Sequence, residues 1–218
     1  MISRIEELLR NNRAFVEQQL QLDEDYFDKL AEGQHPEFLW VGCSDSRVPP
    51  DRITGTKEGD MFVHRNIANL VVQTDMNFLS VLQYAVDVLH VEHVIVVGHY
   101  GCGGIRAALA NKPLGLIDNW LRHVQDVADR HADMLAALDE HARVDRLCEL
   151  NVVEQVKHVA RTTIVQDAWQ RGQALTLHGW VYGISDGLVK DLRVEADSVA
   201  KLEADYQAAL AAVARSGR

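Results

Sequence analysis

The stretch that most limits what this chain can become is Val96-Val97-Gly98-His99-Tyr100-Gly101-Cys102-Gly103-Gly104. The apolar run over residues 94–97 suits a short buried strand, the glycines bend the chain after it, and a helix is expected to open near Gly103. The turn sets an imidazole and a thiol three residues apart. His-x-x-Cys is a close metal-ligand spacing, and zinc takes both imidazole nitrogen and thiolate sulfur. A second apolar strand, over residues 38–41, runs into Gly42-Cys43-Ser44-Asp45-Ser46-Arg47. Strand ends at one edge of a parallel sheet are where α/β folds build their sites. The chain therefore reads as α/β, with Cys43, His99 and Cys102 holding one zinc ion and Asp45 and Arg47 controlling its fourth position.

The residue types fit that chemistry. Zinc binds the thiolate form, and Cys102 stands where a helix begins, a place that favours an anion. Two thiolates cancel the charge of the ion, and a neutral histidine leaves one exchangeable position, the pattern of a catalytic rather than a structural site. Asp45 is near enough to Cys43 to become the fourth ligand. Arg47 could instead hold that carboxylate in a two-pronged pair, leaving the position to water, whose pKa then falls towards ~7. Taken singly, a cysteine closing a buried strand is more often core than ligand, a histidine in a glycine-rich turn is usually a loop residue, and Asp-Ser-Arg could be a turn with a surface ion pair. Both cysteine segments following apolar strands, each with polar partners, is what shifts the balance. The glycines do not match the Gly-x-Gly-x-x-Gly dinucleotide pattern.

With 218 residues, 47% of them hydrophobic, the chain is sized for one domain. A net charge of −10 argues against a nucleic-acid partner. No apolar run approaches the ~18 residues that cross a bilayer, and the charged N-terminus lacks a signal-peptide core. Three cysteines without an export signal suit a reducing, cytoplasmic setting.

Along the chain, helices are expected over residues 2–20 and 25–31, the second stopping at Gly33. A strand follows over 38–43. Val48-Pro49-Pro50 should end regular structure until Gly59, before a strand over 60–65. A helix capped by Thr74 or Asp75 should run to about His90, apolar nearly all round and so buried. With the strand at 94–97 this makes a βαβ unit and a parallel sheet. Helices are expected over 105–110, 117–138 and 140–169, the last with a break near 161–163. Strands are expected over 174–182 and 184–194, joined tightly at Gly183 as an antiparallel edge pair, then a helix over 199–214. Cys148 falls on an apolar helical stripe with Val144, Leu147, Val152, Val156 and Val159 and reads as core. His64 could carry protons, but a strand histidine beside Arg65 is more often structural.

The motifs Cys43-Ser-Asp45-Ser-Arg47 and His99-Tyr-Gly-Cys102-Gly-Gly, in this order, resemble those of the β-class carbonic anhydrases of bacterial type, and the resemblance runs from the first helix to about Leu192. It implies a mostly parallel four-stranded sheet with a fifth antiparallel edge strand, flanked by helices. It implies zinc on Cys43, His99 and Cys102, an Asp45–Arg47 dyad, and reversible hydration of CO2 to bicarbonate. Gln34, Phe62, Ile67, Tyr84 and the backbone at Gly103 match the family's substrate pocket; ordinary packing is the alternative for the three aromatic and aliphatic positions. A subgroup has a regulatory bicarbonate site, matched here by Trp40, Arg65 and Tyr182, in which bicarbonate favours Asp45 on zinc. Asp51 departs from the glutamate expected after the double proline. The resemblance divides the chain into an N-terminal arm (1–33) packing on a neighbouring subunit, a zinc-binding core (34–194) and a C-terminal helix (195–218), in a homodimer or a dimer of dimers. The alternatives are a CS2 or COS hydrolase on the same scaffold, a non-catalytic bicarbonate or pH sensor with Asp45 as a permanent ligand, and a thiol redox protein pairing Cys43 with Cys102.

Overall fold

The computed structural model describes residues 3–215. Residue 2, expected to open the first helix, and residues 216–218, in the expected C-terminal segment, lie outside them. The chain divides into two compact units, Met1–His35 and Pro36–Arg218.

The first unit holds α1 (Arg4–Leu22) and α2 (Tyr26–Ala31). Ser3 starts α1 with a reciprocal cap: its hydroxyl accepts from the Glu6 N–H, and the Glu6 carboxylate accepts from the Ser3 N–H at 2.6 Å. The periodic apolar positions do form a helix, yet none of its residues is buried, and Ile5 and Leu8 are 67% and 63% exposed. Phe15 meets Phe27 edge-on at 6.1 Å.

The second unit runs β1 (Phe38–Cys43), α3 (Pro50–Thr54), β2 (Met61–Asn66), α4 (Met76–Gln83), β3 (His93–His99), α5 (Gly103–Ala110), α6 (Ile117–Arg130), α7 (Ala132–Leu135), α8 (Glu140–Ala160), α9 (Thr163–Gln170), β4 (Thr176–Tyr182), β5 (Val189–Ala196) and α10 (Val199–Arg215). The sheet order is β2-β1-β3-β4-β5, with four parallel strands and β5 antiparallel at the edge. The register sets Cys43 opposite Asn66, and His99 opposite Tyr182. The carboxyl ends of β1, β2, β3 and β4 thus share one edge, where the polar turns emerge. Strand alternation splits β1 between two cores. Leu39, Val41 and Cys43 join the large helix-covered cluster, whereas Trp40 packs with Val48, Ile95 and Val97 in a smaller one.

Helix α8 lies close over the sheet. A Cβ on Gly98 would sit 2.7 Å from Val152 Cγ2, so only glycine admits the helix there. Cys148, Val144, Leu147, Val152, Val156 and Val159 are all buried, as the stripe predicts. At its far end Glu154, buried, accepts from His131 Nε2 at 2.8 Å and bonds Arg130 and the Tyr206 hydroxyl, tying α6 and α10 to α8.

Five expectations need correction. The double proline does not end regular structure: Pro50 sits at the first position of α3, where its missing N–H costs nothing. Helix α4, capped by Asp75, stops at Gln83 and passes into a π-turn over Tyr84–Val88. One flank is open rather than buried, with Met76 70% and Tyr84 46% exposed. The segment 117–138 breaks at His131, whose ring is drawn to Glu154. Strand β5 starts at Val189, because residues 183–188 form a loop closed by Gly183 N–H to Leu188 O and Gly187 N–H to Gly183 O, both 2.8 Å. The expected break near 161–163 is present, with Thr162 capping α9.

Candidate metal centre

Cys43 ends β1, His99 ends β3, and Cys102 caps the start of α5. Their ligand atoms all lie within 4.8 Å of one another, with the two sulfurs 3.9 Å apart. Two sulfurs each about 2.3 Å from one tetrahedral ion would be about 3.8 Å apart, which is close to this spacing. The His99 Nδ1 faces its neighbour's carbonyl, Tyr100 O, at 3.1 Å. A carbonyl only accepts, so Nδ1 carries the proton and Nε2 presents a lone pair. That Nε2 is buried and has no hydrogen-bond partner among the described residues. A buried nitrogen aimed at two sulfurs fits a metal ion, and the sulfur–sulfur–nitrogen set suits zinc. All three cysteines are free.

The thiols interact strongly. Cys43 is pulled to low pKa chiefly by its hydrogen bond with Cys102, with backbone N–H groups adding to this against burial. Cys102 is pushed up by its hydrogen bond with Cys43 and by burial. The two thiols share a proton across 3.9 Å, and either sulfur can donate it. A cation between them would draw both to the thiolate form.

The Asp45 carboxylate is held by three hydrogen bonds from Arg47. Arg47 Nε donates to Oδ1 at 2.9 Å, Nη2 to Oδ2 at 2.7 Å, and the Arg47 backbone N–H to Oδ1 at 3.0 Å. The guanidinium holds the Asp45 carboxyl far below the usual range. Asp45 Oδ2 lies 3.7 Å from His99 Nε2, beside the space the three ligands enclose. Arg65, one strand over, donates through Nε to Cys43 O at 2.7 Å and through Nη2 to Asp45 O.

The remaining expected residues fall in three groups. Ile67 reaches the start of α5, where a Cβ on Gly104 would meet its Cγ2 at 3.0 Å; Gly103 opens that helix. Phe62 and Tyr84 stack on one another at 5.8 Å. Gln34 belongs to the first unit, which is described by itself. Trp40 is fully buried with its indole N–H unpartnered among the described residues, and Tyr182 packs against the same small cluster. A Cβ on Gly42 would lie 2.2 Å from Trp40 Nε1, so the indole lies directly over that glycine. His64 is structural: it accepts from Asn66 Nδ2 at 3.3 Å, packs edge-on to Phe78, and burial lowers its pKa. Cys148 is core, its thiol pushed up to about 12 by burial, and it accepts the backbone N–H of Cys102. Sequence reasoning missed Tyr100, Ala68, Glu149 and Asn151. The one signal for the last two is a pair of polar residues inside the apolar stripe of α8.

A parallel sheet carrying a buried Cys-His-Cys cluster at its carboxyl edge, with an Asp–Arg pair beside it, defines an α/β protein with a set of side chains that could hold a metal ion. The carbonic anhydrase family model matches residues 38–189. A carbonic anhydrase of Emericella nidulans is 45% identical over 191 residues, 87% of this chain and 84% of that protein. A Coccomyxa β-carbonic anhydrase solved with acetazolamide superposes with a TM-score of 0.89 at 37% identity, over 99% of this chain and 100% of that one. A tetrameric β-carbonic anhydrase of Sordaria macrospora gives 0.84 at 39%, covering 88% and 98%. The chain belongs to the β-carbonic anhydrase family, and it is an enzyme of that activity. Among the described residues no helix is long and apolar enough to cross a membrane.

Proposed function

We propose that the chain hydrates CO2 reversibly to bicarbonate and a proton, with one zinc ion held by Cys43, His99 and Cys102. The observation that carries this is Asp45: its carboxylate lies 3.7 Å from His99 Nε2, which has no hydrogen-bond partner among the described residues, yet is gripped by two guanidinium N–H groups of Arg47. An acid beside the ligand cluster but held away from it suits a site with an exchangeable fourth position, and counts against a sensor with Asp45 as permanent ligand. Zinc, when bound, supplies Lewis acidity that makes water nucleophilic near neutral pH. Asp45 accepts a hydrogen bond from the attacking water and orients it. Arg47 keeps Asp45 ionised, and on its release Asp45 closes the position. Phe62, Ile67, Tyr84 and the backbone at Gly103 are assigned as the mostly apolar wall for CO2. Reduced ligand thiols suit a cytoplasmic setting.

Bicarbonate is assigned a regulatory place among Trp40, Arg65 and Tyr182. The Trp40 N–H, unpartnered among the described residues, supports this, as does Arg65, which grips the carbonyl of Asp45 and so links that place to the dyad. An anion that draws the Arg65 fork away frees the Asp45 segment and biases the closed state. The exposed stripe of α1 and the tetrameric relative support a dimer or dimer of dimers, with residues 1–33 as an arm on the neighbour.

Metal analysis and CO2 hydration test the core of this reading. Cys43→Ser, His99→Ala and Cys102→Ser should each lose zinc and activity; full zinc in the Cys102→Ser protein overturns it. For the regulatory place, added bicarbonate should inhibit wild type beyond product competition, and Tyr182→Phe should lose that excess. Equal inhibition of both would move the site elsewhere.

A further inference from the structure

Helix α8 buries a carboxylate and a carboxamide where its neighbours Leu147, Leu150, Val152 and Val153 are apolar: Glu149 and Asn151. Such groups are costly inside a protein unless bonded, so their partners indicate their use. Glu149 Oε1 accepts from the Tyr100 hydroxyl and from Lys190 Nζ, each at 2.6 Å. Tyr100 follows His99, and its carbonyl takes the His99 Nδ1 proton. Its backbone N–H donates to Tyr182 O at 3.0 Å, so Tyr100 is fastened by both side chain and main chain. Asn151 Nδ2 donates to Ala68 O at 2.9 Å. Asn151 is held in turn by Gln155 Nε2 at 3.0 Å, and Gln155 Oε1 accepts the Val71 N–H at 2.8 Å. Ala68 and Asn69 have φ of 64° and 46°. Side-chain-bearing residues keep that left-handed form only where their surroundings enforce it. This turn directly follows Asn66, which stands opposite Cys43 in the sheet and whose carbonyl accepts the Ser44 N–H at 2.9 Å.

We propose that Glu149 and Asn151 are positioning residues for the metal ligands, Glu149 orienting His99 through Tyr100 and Asn151 holding the left-handed Ala68 turn that lies beside Cys43. The two side chains lie within one turn of a single helix and reach two ligands that come from different strands. Neither touches a reacting atom. A ring whose Nδ1 is bonded to a fixed carbonyl has its tautomer and direction set, and outer partners of this kind are worth about 10- to 100-fold in metal affinity. The inference rests on reading Cys43, His99 and Cys102 as zinc ligands.

The test uses full-length zinc-loaded protein, following zinc transfer to a chromophoric chelator, together with the absorption bands of cobalt-substituted samples. Tyr100→Phe and Asn151→Ala should release zinc at least ~10-fold faster and shift the cobalt bands. Glu149→Gln, which still accepts from the Tyr100 hydroxyl, should stay nearer wild type than Glu149→Ala. Val153→Ala, a buried truncation on the same helix, should lower Tm without changing zinc release or cobalt bands. Wild-type release rates in Tyr100→Phe and Asn151→Ala overturn the proposal, as does equally fast release from Val153→Ala. If Asn151→Ala fails to fold, Tyr100→Phe, which removes a single hydroxyl, decides. Wild-type protein that binds no metal would instead overturn the ligand assignment itself.

Discussion

Arg47 is the residue whose loss is expected to separate metal binding from turnover. It contributes no ligand atom, yet it makes two side-chain hydrogen bonds to Asp45. Arg47→Ala should keep its zinc while CO2 hydration falls on the order of a hundredfold, the usual scale for losing a proton-handling group. Metal content and stopped-flow rates on one preparation check this, and a wild-type rate removes Arg47 from the mechanism. Arg47→Lys should recover little, since an ammonium cannot reproduce the planar fork. Gly42 gives a steric counterpart. A methyl there would sit 2.2 Å from the Trp40 indole nitrogen, so Gly42→Ala must move the ring. We expect a loss of about 1–3 kcal/mol by urea unfolding and a weaker response to bicarbonate; an unchanged response would show that the indole plays no part in it. The metal-site residues were legible because Cys43, Asp45 and Arg47 occupy one short segment and His99 and Cys102 another, each behind an apolar run. Tyr100 was hidden inside its own motif. Glu149 and Asn151 have no spacing signature, and their meaning appears only when α8 is laid against β3 and the loop after β2.

The helices were legible where apolar periodicity met a cap, as at Asp75 and Thr162, and illegible where a tertiary contact decided the end. Nothing local stops the helix at Arg130; His131 leaves it to reach Glu154. Likewise Ile184 extends an apolar pattern, but the loop closed at Gly183 and Leu188 delays β5 by five residues, from 184 to Val189. Glu154 binds three elements into one block and makes that block acid-sensitive. Burial alone would raise its carboxyl, but the bonds from His131 and Tyr206 and the charge of Arg130 win, and it lies at about 2. A lowered carboxyl stabilises the fold above the ordinary carboxylate range and ceases to do so as pH falls through about 2. Relative to its usual 4.5 this is worth about 3 kcal/mol. Urea midpoints at pH 7, 5 and 3 should therefore fall more steeply for wild type than for Glu154→Gln, and parallel curves would exclude the clamp as a source of acid lability.

At the scale of the molecule, the parallel sheet followed from the βαβ pattern and the antiparallel edge from the short connection between the last two strands, whereas the strand order and the open faces could not be read from pattern alone. Helix α4 was expected to be covered all round, yet Met76 and Tyr84 face outwards, and α1 buries nothing. We expect purified protein to run at two or four times the 24.5 kDa of one chain by light scattering. Leu8→Glu should weaken that assembly by at least tenfold in dissociation constant, and an unaltered mass on dilution would take α1 out of the interface. The separation of the two sulfurs has a different consequence. Cys43 and Cys102 are 59 positions apart in the chain. A chain leaving the ribosome offers one thiol long before the other exists, and closing so long a loop around an ion would be entropically costly without the sheet. The ligands converge only once β3 has entered beside β1. Refolding should therefore regain helix and strand at the same rate with or without zinc, and take up the ion afterwards. The metal is then a fitting added to a finished frame, and it can be lost and replaced without taking the frame apart.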